Sequence, residues 1–233
     1  MEGVENSRII GRGVMYNSKG GALYIHKCEN VTILNPRYEN IRVAECRNLT
    51  IKNLRAFSHQ GWGDGVQLYC SENVIIDGCF LRTSDDSIAL YTHRWDFYGD
   101  TRNITVRNCS LWADVAHPIN LDIHGNPDPD NYEVLENIDI LDHREPQVLA
   151  QGCIAINPGD GIRVEDFRWG QLVQMRVPYI PTWNTASGRG IENVYIKDLS
   201  YNGRHAAMSI MVGYDKDHVI KDVTLRTSVS TAG

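Results

Sequence analysis

No CxxC pair occurs among the six cysteines, which argues against a zinc site or a thioredoxin-like redox motif and leaves a disulfide framework open. No apolar run reaches the ~18 residues that a membrane-crossing helix needs. The chain has no basic excess either. Its 23 Lys and Arg against 29 Asp and Glu give a net charge of -6, which argues against a nucleic-acid role. The first residues, Met1-Glu-Gly-Val-Glu-Asn, have neither the basic region nor the apolar stretch of a secretory leader. Helical periodicity over ten or more residues is missing as well. What remains is 233 residues with 42% hydrophobic and 22% charged side chains, the proportions of a folded domain.

The chain is built on a repeat. Glu29-Asn-Val-Thr-Ile returns as Arg47-Asn-Leu-Thr-Ile, Glu72-Asn-Val-Ile-Ile, Arg102-Asn-Ile-Thr-Val, Glu136-Asn-Ile-Asp-Ile and Glu192-Asn-Val-Tyr-Ile. Glu5-Asn-Ser-Arg-Ile and Lys221-Asp-Val-Thr-Leu are weaker first and last copies. The gaps between heads are 24, 18, 25, 30, 34, 56 and 29 residues, and a degenerate copy at Gly161-Ile-Arg-Val-Glu-Asp-Phe splits the longest. Such periods mark a solenoid or an array. Each unit opens on a short alternating run and carries a second one later, such as Gly65-Val-Gln-Leu-Tyr or Ser87-Ile-Ala-Leu-Tyr. Two or three short strands in ~25 residues are too few for a propeller blade and fit one coil of a parallel β-helix. The sequence therefore predicts an all-β, right-handed, single-stranded parallel β-helix of about nine coils, a single domain over residues 1–233. At ~4.8 Å per coil the rod is on the order of 40 Å long.

The Asn at each head suits a left-handed corner, and stacked Asn side chains form a hydrogen-bonded ladder. Cys28, Cys46 and Cys70 stand just before these heads and are expected as a small buried stack. Neither terminus carries an evident cap, which suggests a fragment of a longer protein. Insertions in a solenoid emerge on one face, often the binding face. Here they are Thr92–Asp100, His124–Tyr132 and Pro178–Asn184, with Trp95, Phe97, Tyr98, Tyr132, Tyr179 and Trp183 as candidate walls of a sugar cleft.

Acids gather at the head of the second strand. Gly63-Asp-Gly-Val-Gln-Leu holds Asp64, and Ser84-Asp-Asp-Ser-Ile-Ala-Leu holds Asp85 and Asp86, about one coil later. Ala116-His-Pro-Ile-Asn-Leu puts His117 at the matching place in the next unit. Stacked carboxylates repel, so at least one should hold its proton unusually well. That suits acid–base work on a glycosidic bond, with one acid for the leaving oxygen and one carboxylate for water. Turn caps and a calcium site are the bland alternatives. Trp62, Gln67, Tyr91, His93, Trp95, Asn120 and His124 are candidate substrate contacts. Asp160 and Ser187-Gly-Arg-Gly read as turns, and His205 and His218 as surface residues.

Asp-Gly, then Asp-Asp, then a His at coil spacing resembles the polygalacturonases of glycoside hydrolase family 28 and their pectin-lyase-like relatives. Their pattern is Asn-Thr-Asp-Gly, Asp-Asp, Gly-His-Gly and Arg-Ile-Lys. Asp64, Asp85-Asp86 and His117 match the first three, with Gly61-Trp-Gly-Asp-Gly in place of Asn-Thr-Asp-Gly and with Ala116 and Pro118 in place of the glycines around the His. Cys153-Ile-Ala-Ile-Asn stands where Arg-Ile-Lys is expected; Arg163 and Arg176 are later cations. The resemblance implies inverting hydrolysis with Asp85 as general acid, Asp64 and Asp86 as bases, and His117 tuning the acid. It also implies a polysaccharide or oligosaccharide substrate, no cofactor and no metal, a monomer, and an extracellular or periplasmic place. Relatives acting on neutral glycans share the pattern. A non-catalytic glycan-binding β-helix, and a lyase or epimerase on the same fold, are the competing readings.

Overall fold

Six of the repeat heads bend the backbone where an L-residue other than Asn, Asp or Gly is disfavoured. Asn6, Asn30, Asn48, Asn73, Asn103 and Asp222 all have φ between 49° and 57°. The side chains then climb from coil to coil. Nδ2 of Asn30 donates to Oδ1 of Asn6 at 3.0 Å, Asn48 to Asn30 at 3.0 Å, Asn73 to Asn48 at 3.0 Å and Asn103 to Asn73 at 2.9 Å. Replacing Asn48 therefore removes two rungs and tests the corner. Asn48→Ala should cost about 1–3 kcal/mol, and Asn48→Gly, which tolerates the φ, should cost less. Urea unfolding of the two variants measures the difference.

The computed structural model describes residues 1–14, 22–37, 40–58, 61, 63–114, 116–122, 133–141, 154–157, 162–169, 191–197 and 219–226. Among these no helix occurs. None is long and apolar enough to cross a membrane. The ladders of the three larger sheets run parallel, with strands of successive repeats side by side, and the fold is an all-β parallel β-helix. The first sheet has nine strands, from Glu5–Ile10 through Glu29–Leu34, Arg47–Lys52, Glu72–Asp77 and Thr101–Arg107 to Ile220–Arg226. The second has six, Ala22–His26, Asn40–Ala44, Val66–Tyr69, Ile88–Tyr91, Ile119–Asp122 and Ile154–Asn157. A third, Arg55–Phe57, Phe80–Thr83 and Ser110–Ala113, closes the section.

Alternation fills the interior. Val31, Leu49, Val74 and Ile104 pair in register and are buried, and so are Ile33, Ile51, Ile76 and Val106. From the second sheet, Ile41, Val66, Ile88 and Ile119 form one buried row. Each such aliphatic contributes roughly 1.5–3 kcal/mol by leaving water. β-branched residues suit this pleated surface.

Two features depart from expectation. The third place of the small-residue stack belongs to Ser71, not Cys70. The Cys28 N–H donates to Cys46 Sγ at 3.4 Å, and the Cys46 N–H donates to Ser71 Oγ at 3.0 Å. Cys70 sits one residue earlier, at the left-handed corner it shares with Lys27 and Glu45. A second Asn series lies five residues after the first: Asn35, Asn53 and Asn108, again at positive φ. Asn53 donates to Asn35 at 2.7 Å, and Gly78 interrupts the row. Asp77 takes over as acceptor from Asn108 at 3.0 Å, with Arg107 at 3.3 Å and Lys52 at 3.7 Å beside it. The Asn108 bond and these cations hold its carboxyl below the usual range.

Candidate active site

The outward positions of the second sheet form one row across coils. Tyr24, Arg42, Gln67, Ala89 and Asn120 are register partners, and the next strand continues with Ala155. Asp64 and Asp86 stand at the corners just before two of these strands. The corners are stitched by backbone bonds: the Gly65 N–H donates to Asp86 O at 2.9 Å, and the Ser87 N–H to His117 O at 3.0 Å. Coil stacking thus brings Asp64, Asp85, Asp86 and His117 together, as the spacing predicts. One oxygen of each carboxylate lies within 4.8 Å of one from each of the others.

The three acids are held differently. Asp64 is 4% exposed, and both its oxygens accept hydrogen bonds. Oδ2 takes one from Gln67 Nε2, and Oδ1 takes the Asp86 N–H at 3.2 Å. Gln67 is fixed in turn by the Tyr69 hydroxyl, which donates to its Oε1. Asp86 is also tied at both oxygens, by the His117 N–H at 2.9 Å and Asn120 Nδ2 at 2.5 Å. The His117 Nδ1 lies 3.4 Å from Asp86 Oδ1. Asp85 is only partly buried. Its Oδ1 shares the Asp86 N–H at 3.1 Å, and its Oδ2 has no hydrogen-bond partner among the described residues.

Burial, then the neighbouring Asp86 charge, pushes the Asp64 carboxyl up to about 7 against the opposing bond from Gln67. The same two causes raise Asp85. The cluster therefore keeps a proton near neutrality. Between about pH 4 and 7 the folded protein holds a proton on Asp64 that the unfolded chain has released. Stability should accordingly fall as pH rises through that window, by on the order of a few kcal/mol from this group. Chemical unfolding at pH 5 and pH 8 measures it, and Asp64→Asn should flatten the slope.

The substrate-contact candidates divide. Gln67 and Asn120 do face the acids, as ligands of Asp64 and Asp86. Tyr91 is outward but covered: it is 2% exposed and stacked on Tyr69 at 5.3 Å between ring centroids. The cover is the insertion His93–Arg94/Phe97–Tyr98, a short antiparallel hairpin that folds back on the sheet. Phe97 stacks on Tyr69 at 6.0 Å, and Trp95, 49% exposed, packs against Tyr69 at 5.6 Å. Tyr91 is therefore hairpin packing and not an open contact. The backbone of His93 pairs with Tyr98. Trp62 and His124 lie outside the described residues, as do Cys153, Arg176 and the insertions at 124–132 and 178–184. Arg163 belongs to a first-sheet strand, Ile162–Trp169, so it is not on the sheet that carries the acids.

Two groups at the site had escaped the sequence reading. Arg42 is one coil before Gln67 in register. Arg94, on the hairpin, is close enough to favour the charged forms of Asp64 and Asp85. Neither sits in a repeated motif, so spacing gave no signal.

Residues 18–113 match the family described as Glycosyl hydrolases family 28, a stretch that includes Asp64, Asp85 and Asp86. A probable polygalacturonase of Arabidopsis thaliana is 26% identical over 193 residues, covering 80% of this chain and 37% of the plant protein. The chain thus spans little more than a third of that relative's length. Among solved structures, the receptor binding domain of the Siphovirus 9NA tailspike aligns at 12% identity with a TM-score of 0.26, over 91% of this chain and 52% of that one. That score is too low to carry an argument about fold. Parallel coils, the three-carboxylate corner and the family match agree: the chain is polygalacturonase-like, similar to the glycosyl hydrolases of family 28 across residues 18–113.

Proposed function

We propose that the chain is a glycoside hydrolase acting on pectin-type glycans, with Asp85 as the general acid and Asp64 and Asp86 as the carboxylates that hold the attacking water. The observation that carries this is the unequal tethering of the three acids. Asp64 and Asp86 each accept a bond at both oxygens, so they are fixed acceptors. Asp85 has one oxygen without a hydrogen-bond partner among the described residues and is partly exposed, as a donor to a leaving group needs. A bound sugar would exclude water from Asp85 and strengthen its hold on the proton further. His117 beside Asp86 tunes the network.

One oxygen of each acid lies within 4.8 Å of the others, so all three reach one small volume at the corner. Inversion follows from the resemblance: an oxygen of Asp64 or Asp86 that accepts one N–H keeps a second lone pair, with which it can hold the attacking water.

The test is reducing-sugar release from polygalacturonate, rhamnogalacturonan, dextran and α-galactosides across pH. The proposal expects release from a pectin-type member, with a rising limb toward about pH 7 as the base Asp64 sheds its proton and a falling limb as the acid Asp85, raised by burial and the Asp86 charge, loses its own. A folded protein inactive on all four would refute it.

A further inference from the structure

We propose that Arg42 and Arg94, with Trp95 and Tyr24, form an anion subsite on the N-terminal flank of the carboxylate cluster, taking the carboxylate of an acidic sugar. This rests on the hydrolase reading of the same site and names what that site selects. The Arg42 guanidinium carbon stands 4.9 Å from the Trp95 ring centroid and 5.3 Å from that of Tyr24. That of Arg94 stands 4.8 Å from Tyr91 and 5.1 Å from Trp95. Arg42 Nη1 donates to the Tyr24 hydroxyl at 3.0 Å. Its Nε is buried with no hydrogen-bond partner. Trp95 and Tyr24 are 49% and 42% exposed, so the cluster is open to solvent.

Neither cation pairs with a carboxylate among the described residues. Other arginines do: Arg47 with Glu72, Arg82 with Asp114, Arg102 with Asp100 and Arg107 with Asp77. Stacking on aromatic faces leaves guanidinium N–H edges free, and such an edge binds a carboxylate as a fork. The placement also answers an electrostatic difficulty. Asp64, Asp85 and Asp86 repel an acidic polymer, and the chain as a whole carries a net charge of -6. Two cations beside the acids, with no carboxylate partner among the described residues, offset that locally. On the other flank, Ala155 occupies the register place after Asn120, so that position of the row supplies no cation.

The test uses the full chain carrying Asp85→Asn, so that binding is read without turnover. A linear oligogalacturonate and its fully methyl-esterified counterpart are titrated by calorimetry. The expected result is tighter binding of the free acid, weakening with salt, and a loss of about tenfold or more on adding Arg42→Gln or Arg94→Gln. Binding of the ester should change little. Equal affinity for acid and ester, or unchanged affinity in both arginine variants, overturns the subsite. Should Arg42→Gln fail to fold, Arg94→Gln and the salt dependence decide. Hydrolysis by the Asp85 form is scored separately. Acid-selective binding without hydrolysis leaves the subsite and removes the hydrolase; hydrolysis with arginine-independent binding does the reverse.

Discussion

Asp85→Asn should lower kcat by roughly 10²–10⁴-fold on any glycan the wild type cleaves, and leave KM nearly unchanged. The asparagine keeps the size and can still accept the Asp86 N–H that Asp85 Oδ1 accepts at 3.1 Å. It cannot deliver a proton to a leaving oxygen. Removing one of three crowded charges also relieves repulsion on Asp64, where the Asp85 charge is one of the raising influences. Folding stability should therefore stay within about 0.5 kcal/mol or rise. A pseudo-first-order rate series with a melting curve reads both. A drop in stability matching the drop in rate would make Asp85 a structural residue.

Gly65→Ala should be the most damaging small change near the site. A Cβ at Gly65 would lie 2.5 Å from the Ser87 carbonyl oxygen, 3.1 Å from Thr83 Cγ2 and 3.2 Å from Leu81 Cδ1. The first of these is backbone of the next coil, which is itself bonded to Val66. It cannot swing aside, so the Asp64 corner must move. The expected cost is about 1–3 kcal/mol or more, with activity falling because Asp64 loses its register against Asp86. Gly61→Ala is the control: a Cβ there meets nothing within 4 Å, and its effect should stay near 0.5 kcal/mol or below. Equal costs for the two would mean the coils can part at that corner.

Much of this was legible in the chain because a β-helix repeats its physics. The head residue is left-handed in coil after coil, from Asn6 to Asn103 and again at Asp222, so Asn recurs there, and the coil spacing then brings Asp64 onto Asp85 and Asp86 and these toward His117. What was not legible lacked repetition. Gly78 breaks the second Asn row, and Asn35 stands before a proline, so that ladder left no clear period. The stack of Cys28 and Cys46 continues through Ser71 because burial selects small size over element type. The hairpin from His93 to Tyr98 has two-residue strands, too short for any periodic signal, and only its fold-back covers Tyr91. Arg42 alternates like any outward strand residue, and its partner Trp95 is more than fifty residues away.

The account's central claim is that the carboxylate corner adds water across a glycosidic bond. Proton NMR of a linear oligogalacturonate incubated with the protein tests it most directly. The account predicts a new hemiacetal anomeric signal that appears first in the configuration opposite to that of the cleaved bond. A vinylic signal from an unsaturated sugar would make the protein a lyase, and an unchanged spectrum with a folded, sugar-binding protein would make it a binding module; either contradicts the account.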